Sequence, residues 1–97
     1  MKIENYINGS LSSVSSRSIP VQDPSTGENI SDVVMSNKED FLKTISSSNE
    51  AFKSWSNETP LKRSRVLSKF KEIVEKNIEE LAKIVSSEHG KTLEDAK

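Results

Sequence analysis

Apolar positions change their period once along this chain. Up to about residue 36 they fall in short, alternating pieces broken by turn residues. From residue 37 onward they recur every three or four positions. The first pattern predicts strands and hairpins, the second amphipathic helices. Tyr6-Ile7-Asn8-Gly9-Ser10 predicts a tight hairpin, because Asn and Gly both tolerate positive φ, and Leu11 begins the return strand. Ser12 to Ser18 is serine-rich, interrupted only by Val14 and Arg17, and reads as a solvated loop. Ile19-Pro20-Val21-Gln22-Asp23 reads as extended. Asp23-Pro24-Ser25-Thr26-Gly27-Glu28 is a turn, and Ile30 to Met35 pairs back across it. Pro20 cannot donate to a ladder, so its strand must lie at an edge or begin there.

Ser36 and Asn37 offer an N-cap to the first helix, with Glu39 and Asp40 in its first turn. Phe41, Ile45, Phe52 and Trp55 form one stripe, with Leu42 and Ala51 beside it. The periodic run predicts a helix of roughly 16–19 residues. It ends before Thr59-Pro60, where Thr caps the next helix and Pro takes its first position. Leu61, Val66, Leu67, Phe70, Ile73 and Val74 make the second stripe. Asn77 with Glu80 matches a capping box, which predicts a break near Asn77 and a third helix carrying Ile78, Leu81, Ala82 and Val85. One continuous helix from Leu61 to His89 is the alternative. Gly90 suits the left-handed residue that ends a helix, and His89 and Lys91 lie where the dipole favours cations. Stripes of this kind are read first as core, with Trp55 as an anchor in it. The predicted fold class is α+β: two short N-terminal β-hairpins, three helices and the start of a fourth. Residues 1–36 form the hairpin region and residues 37–97 the helical region.

Thr92 and Asp95 open that fourth helix with another capping-box pattern, yet only about five residues remain, short of the roughly 12 a helix needs in water. The expectation is that these 97 residues are the front of a longer protein. Composition agrees. Leu, Ile, Val and Phe number 24 of 97, above the roughly 20% below which disorder is expected. Hydrophobic residues are nevertheless only 32% and charged residues 30%. A chain of this size with so little apolar surface is expected to have its apolar faces completed by further sequence or by a partner.

Charge and chemistry narrow the picture mainly by exclusion. A net charge of −1 lacks the basic footprint of a nucleic-acid binder. No apolar run reaches a membrane span, and Met1-Lys2-Ile3-Glu4-Asn5 lacks a signal-peptide core, which points to a cytoplasmic protein with no membrane partner. There is no cysteine, hence no thiolate nucleophile or disulfide. His89 stands alone, which makes a metal site improbable, and a helix-end position accounts for it. Glu79-Glu80 and Glu94-Asp95 lie on predicted helix surfaces with no sign of the burial that acid–base work requires. None of the eighteen serines sits in a G-x-S-x-G elbow. Gly90-Lys91-Thr92 resembles the tail of a phosphate loop, but Val85 stands where its first glycine belongs and a helix precedes it. The expected catalytic, cofactor-binding and metal-binding residues of this chain are therefore none.

Taken in order, the motifs resemble the amino-terminal segment of the aldehyde dehydrogenase superfamily. Tyr6-Ile7-Asn8-Gly9 is similar to its opening hairpin, and Asp23-Pro24-Ser25-Thr26-Gly27-Glu28 to its N-P-A-T-G-E turn, with Asp for Asn and Ser for Ala. Ala51-Phe52 with Trp55 resembles A-F-x-x-W at the end of its first helix. Arg65 with Leu67 sits in a stretch similar to its R-x-x-x-L second helix. Glu88-His89-Gly90-Lys91-Thr92 resembles its E-x-G-K segment. Glu88 to Leu93 with Asp95-Ala96 looks most like the CoA-acylating methylmalonate-semialdehyde (malonate-semialdehyde) branch. The resemblance implies a parent with an α/β, Rossmann-type cofactor domain that oxidises a semialdehyde with NAD. A cysteine forms a thiohemiacetal, hydride leaves to the nicotinamide, and coenzyme A takes the acyl group from the thioester. It also implies a homo-oligomer, dimer or tetramer. The catalytic cysteine and the cofactor strands would lie beyond Lys97, so this segment would be an inactive scaffold at the front of an incomplete NAD-binding domain. The competing reading is a stand-alone helical interaction module derived from this fold, or another branch of the superfamily.

Overall fold

The computed structural model describes all residues 1–97. The chain folds as five short strands followed by four helices, in two contact units. The first unit comprises residues 1–22 and 29–57, the second residues 23–28 and 58–97.

In the first unit, β2 (Tyr6–Ile7) and β3 (Ser10–Leu11) form the expected hairpin, with Tyr6 opposite Leu11 and Ile7 opposite Ser10. Its two-residue turn has φ 53° at Asn8 and 79° at Gly9. Both central residues are left-handed, as a type I′ turn requires to match strand twist. The longer hairpin pairs β4 (Ser18–Gln22) with β5 (Asn29–Val34) antiparallel, with a register shift at Val21/Gln22. A strand the sequence did not suggest, β1 (Lys2–Ile3), adds to β5 in parallel, giving the order β1-β5-β4. Pro20 therefore lies on an edge strand, where its missing N–H costs no ladder bond. The unit continues into α1 (Lys38–Trp55), 18 residues long, within the predicted length. Asn37 caps it through a capping box with Asp40.

In the second unit, Thr59 accepts from the Lys62 N–H at 3.2 Å, and Pro60 opens α2 (Pro60–Lys76). The predicted break falls at Asn77, so the single long helix is not formed, and α3 runs from Ile78 to His89. The mechanism of the break differs from the expected capping box. Asn77 makes no side-chain cap to α3. Its Nδ2 donates instead to the Ile73 carbonyl at 2.7 Å, closing the end of α2. With φ −109° and ψ 14°, its backbone is committed to terminating one helix before the next starts. Gly90 ends α3 at φ 77°, its N–H donating to the Ser86 carbonyl at 2.9 Å. A Cβ at residue 90 would also meet Pro24 Cγ at 3.0 Å, so the Asp23–Glu28 turn packs where only glycine leaves room. Thr92 then caps α4 (Leu93–Ala96) through the Asp95 N–H, and Lys97 pairs with Glu79 of α3 at 2.5 Å.

The apolar stripes are where the core expectation fails. Only Ile7, Val34 and Ala82 are buried apolar side chains. Phe41 and Leu42 of α1 are exposed, as are Leu61, Val66, Leu67 and Phe70 of α2. Trp55 retains 40% of its surface and is not a buried core residue. The stripes have the correct helical spacing, but the chain supplies no second layer to cover them, and a helix face needs one to be buried.

Two outcomes are expected. The isolated chain binds a hydrophobic dye and melts without a sharp cooperative transition, as followed by fluorescence and circular dichroism. Gly90→Ala lowers the opening free energy of the amide at residue 90 by about 1–2 kcal/mol, measured by hydrogen exchange, because a left-handed Cβ is strained. Gly27→Ala, with open space around residue 27, costs less.

Candidate functional site

The most organised group of polar atoms is a knot around Asp40 in the first unit. The residue is 1% exposed, the most buried charged side chain in the chain. It is positioned by its place as the third residue of α1, where the capping box turns its carboxylate back over Asn37. Oδ2 accepts from the Asn37 N–H at 3.0 Å, while Asn37 Oδ1 accepts from the Asp40 N–H at 3.0 Å. The same carboxylate reaches across 25 residues of sequence. Oδ1 accepts from the Val14 N–H at 2.6 Å and Oδ2 from the Ser15 N–H at 3.2 Å. Ser15 is buried, and its Oγ accepts from the Arg17 N–H at 3.2 Å. Ser12 N–H donates to the Asn5 carbonyl, Asn5 N–H donates to Ser13 Oγ, and Ser36 Oγ donates to Asn5 Oδ1. Lys43 of α1 contacts Ser12 Oγ. The stretch from Ser12 to Ser18 is thus pinned at several atoms, not the solvated loop its composition suggests.

The electrostatics follow from this geometry. The Val14 N–H, then the Asn37 and Ser15 N–H groups, together with the nearby Lys43 ammonium, hold the Asp40 carboxyl below the ordinary aspartate value of 3.8. Burial pushes the other way and is outweighed, because the charged form accepts three backbone donors. A carboxylate held this way is a weak base with its lone pairs already committed. Its chemistry is to fix backbone, not to move protons.

The residues weighed from sequence lie elsewhere and are not brought together. His89 is exposed at the end of α3, Glu80 is exposed on that helix, and Glu79 is paired with Lys97. Glu94 and Asp95 sit in the first turn of α4. No three His, Asp or Glu side chains gather to hold a metal ion. Sequence reading missed the role of Asp40, although Asn37 and Asp40 carry the spacing of a capping box. The long-range donors Val14 and Ser15 left no local trace.

A dinucleotide cradle needs glycines at a strand-to-helix turn, so that backbone N–H groups face a pyrophosphate at a helix N-terminus. Here Gly9 and Gly27 are in hairpin turns, and Gly90 ends a helix with its N–H already bonded. The residues present do not fit a nicotinamide dinucleotide. A depression of about 690 Å³ bordered by Ile7, Lys43, Glu50 and Ala51 is an open surface hollow.

Residues 11–97 match the aldehyde dehydrogenase family, and the chain belongs to it. It is 42% identical over 94 residues to a malonate-semialdehyde dehydrogenase of Pseudomonas aeruginosa, covering 97% of this chain and 19% of that protein. Its fold superposes with a TM-score of 0.96 on a Sinorhizobium meliloti protein described as a methylmalonate-semialdehyde dehydrogenase and solved with NAD, at 32% identity, covering 99% of this chain and 20% of that one. The methylmalonate-semialdehyde dehydrogenase of Oceanimonas doudoroffii gives 0.95 at 37% identity, covering 98% and 20%. The chain spans about a fifth of the length of the relatives it matches.

The Asp40 knot has a defined pH dependence. Its folded-state pKa is lowered, so its contribution is present above the ordinary aspartate range and is lost as pH falls through the depressed value. The amide resonances of Val14, Ser15 and Asn37 are expected to titrate together at a pH below 3.8, the ordinary value. In Asp40→Ala the protection of these three amides against exchange is lost at all pH values.

Proposed function

We propose that residues 1–97 are the amino-terminal scaffold of an NAD-dependent (methyl)malonate-semialdehyde dehydrogenase. In this reading the whole enzyme oxidises a small semialdehyde to an acyl-CoA through a cysteine thioester. Residues 1–36 and residues 37–97 both belong to the front of its NAD-binding domain. The observation that carries the reading is the match to malonate-semialdehyde dehydrogenases over 97% of this chain and only 19% of the relative. Use of NAD is supported by the structural neighbour solved with NAD. Coenzyme A as acyl acceptor rests on the likeness of Glu88 to Ala96 to the acylating branch. A homo-oligomeric parent is part of the same reading. No nucleic acid or membrane enters it, and no helix is long and apolar enough to cross a membrane.

The segment's own contribution is mechanical. It lacks the cysteine that would attack the aldehyde, and its glycines do not form a cofactor cradle. What it offers is a hairpin region fastened to α1 by Asp40, and two further helices whose stripes await a covering layer. The rest of the parent chain is the partner that this reading supplies.

The test uses an antibody raised against the α2 sequence and polypeptide captured from the source cells. Expected is a polypeptide about five times the length of this chain, as the 19% coverage implies. It forms NADH from malonate semialdehyde over many turnovers only when coenzyme A is added, with no more than one equivalent per site in its absence, whereas the purified 97-residue chain forms none. A captured species of only 10.8 kDa, or aldehyde-dependent NADH from the isolated chain, overturns the proposal.

A further inference from the structure

The stripe on α2 contains one residue that does not belong on an apolar face. Arg63 stands three, four and seven residues before Val66, Leu67 and Phe70, so all four side chains share one face of the helix. The three apolar members are exposed, with Leu67 at 62% and Phe70 at 64%. α2 carries six cations (Lys62, Arg63, Arg65, Lys69, Lys71, Lys76) against two acids (Glu72, Glu75). Three of its lysines hold glutamates: Lys62 with Glu58, Lys69 with Glu72 and Lys71 with Glu75. Arg63 takes part in none of the five ion pairs of the chain. Its neighbours one turn away are Thr59, Pro60, Val66 and Leu67, none of which is acidic. Arg65, by contrast, lies on the opposite side of the helix from Val66, Leu67 and Phe70, with Leu61 and Lys62 one turn back, Lys69 one turn on and Glu72 two turns on.

From this we infer that the surface covering the α2 stripe is an apolar patch of the parent polypeptide that presents a carboxylate to Arg63. The inference rests on the proposed function, which supplies a chain about five times longer than this one. Covering Val66, Leu67 and Phe70 removes water from Arg63 as well. Guanidinium stays charged at any accessible pH, so it cannot escape burial by losing a proton. A buried charge without a partner is strongly unfavourable, and a planar bidentate carboxylate is the group that satisfies it best. The excess of positive charge along the helix favours the same sign of partner. Opposite an acid, Arg63 fixes the rotation of α2 on its partner surface, which the apolar residues alone specify poorly.

The experiment uses the full-length polypeptide carrying this segment, with Arg63→Met and Arg65→Met. Phenylglyoxal labelling read by mass spectrometry is expected to leave Arg63 unmodified while Arg65 reacts; in the isolated 97-residue chain both react. Arg63→Met is expected to lower the melting temperature by about 5 °C or more near neutral pH, because the opposing carboxylate is left buried and unpaired. That deficit shrinks toward about pH 5, where the orphaned carboxyl, its pKa raised by burial, takes up a proton. Arg65→Met changes the melting temperature little. A full-length protein in which Arg63 labels like Arg65 overturns this inference alone. So does a pH-independent deficit, which would mean packing without an acid. Concentration-dependent protection of Arg63 in the 97-residue chain would assign the face to a second copy and also overturn it. A native polypeptide of only 97 residues overturns this inference and the parent reading together.

Discussion

One aspartate carboxylate ties the first unit together. Asp40 accepts from Asn37 within its own helix cap and from Val14 and Ser15 far away in sequence. Those bonds decide where the serine-rich stretch runs, and that stretch joins the first hairpin to β4. The unit has little else to work with, since Ile7 and Val34 are its only buried apolar side chains. Where a hydrophobic core is small, charge-assisted hydrogen bonds to backbone donors take over the task of choosing one conformation. Asp40 does this without strain or stranded polar atoms, for no buried side-chain nitrogen or oxygen lacks a partner.

The second unit rests on termini more than on packing. Thr59 and Pro60 start α2, Asn77 ends it, Gly90 ends α3 and Thr92 starts α4. These devices define where each helix begins and stops at a cost of no buried area. They leave the helix faces free. Ala82 alone is buried there, while Leu61, Leu67, Phe70 and Ile84 face outward. The helices are thus set by their termini, with their apolar faces exposed.

Much of this architecture was legible before any coordinates. Asn8-Gly9, Asp23 to Glu28, Asn37, Thr59-Pro60 and Gly90 each act through backbone geometry within a few residues, so the sequence alone placed both hairpins and the ends of the helices. The family was legible in part for the same reason: the motifs at Tyr6–Gly9, Asp23–Glu28 and Glu88–Thr92 are turns or helix ends, while those at Ala51–Trp55 and Arg65–Leu67 lie on helices. The Asn77 break was located correctly, but its cause was not. An asparagine can cap forward or bond backward with the same side chain, and the choice depends on backbone angles that composition does not reveal.

The sequence by itself determined local structure: periods, turns, caps and the lack of a cysteine nucleophile, because each depends on neighbours along the chain. Only the tertiary structure decided three further things. It joined β1 to β5 in parallel, it brought Val14 and Ser15 to Asp40, and it left the stripes of α1 and α2 uncovered. Each is a relation between residues distant in sequence or between a face and its cover. Helical spacing states which residues share a face. Whether that face becomes core depends on a second layer, and no periodicity along one chain encodes what that layer is.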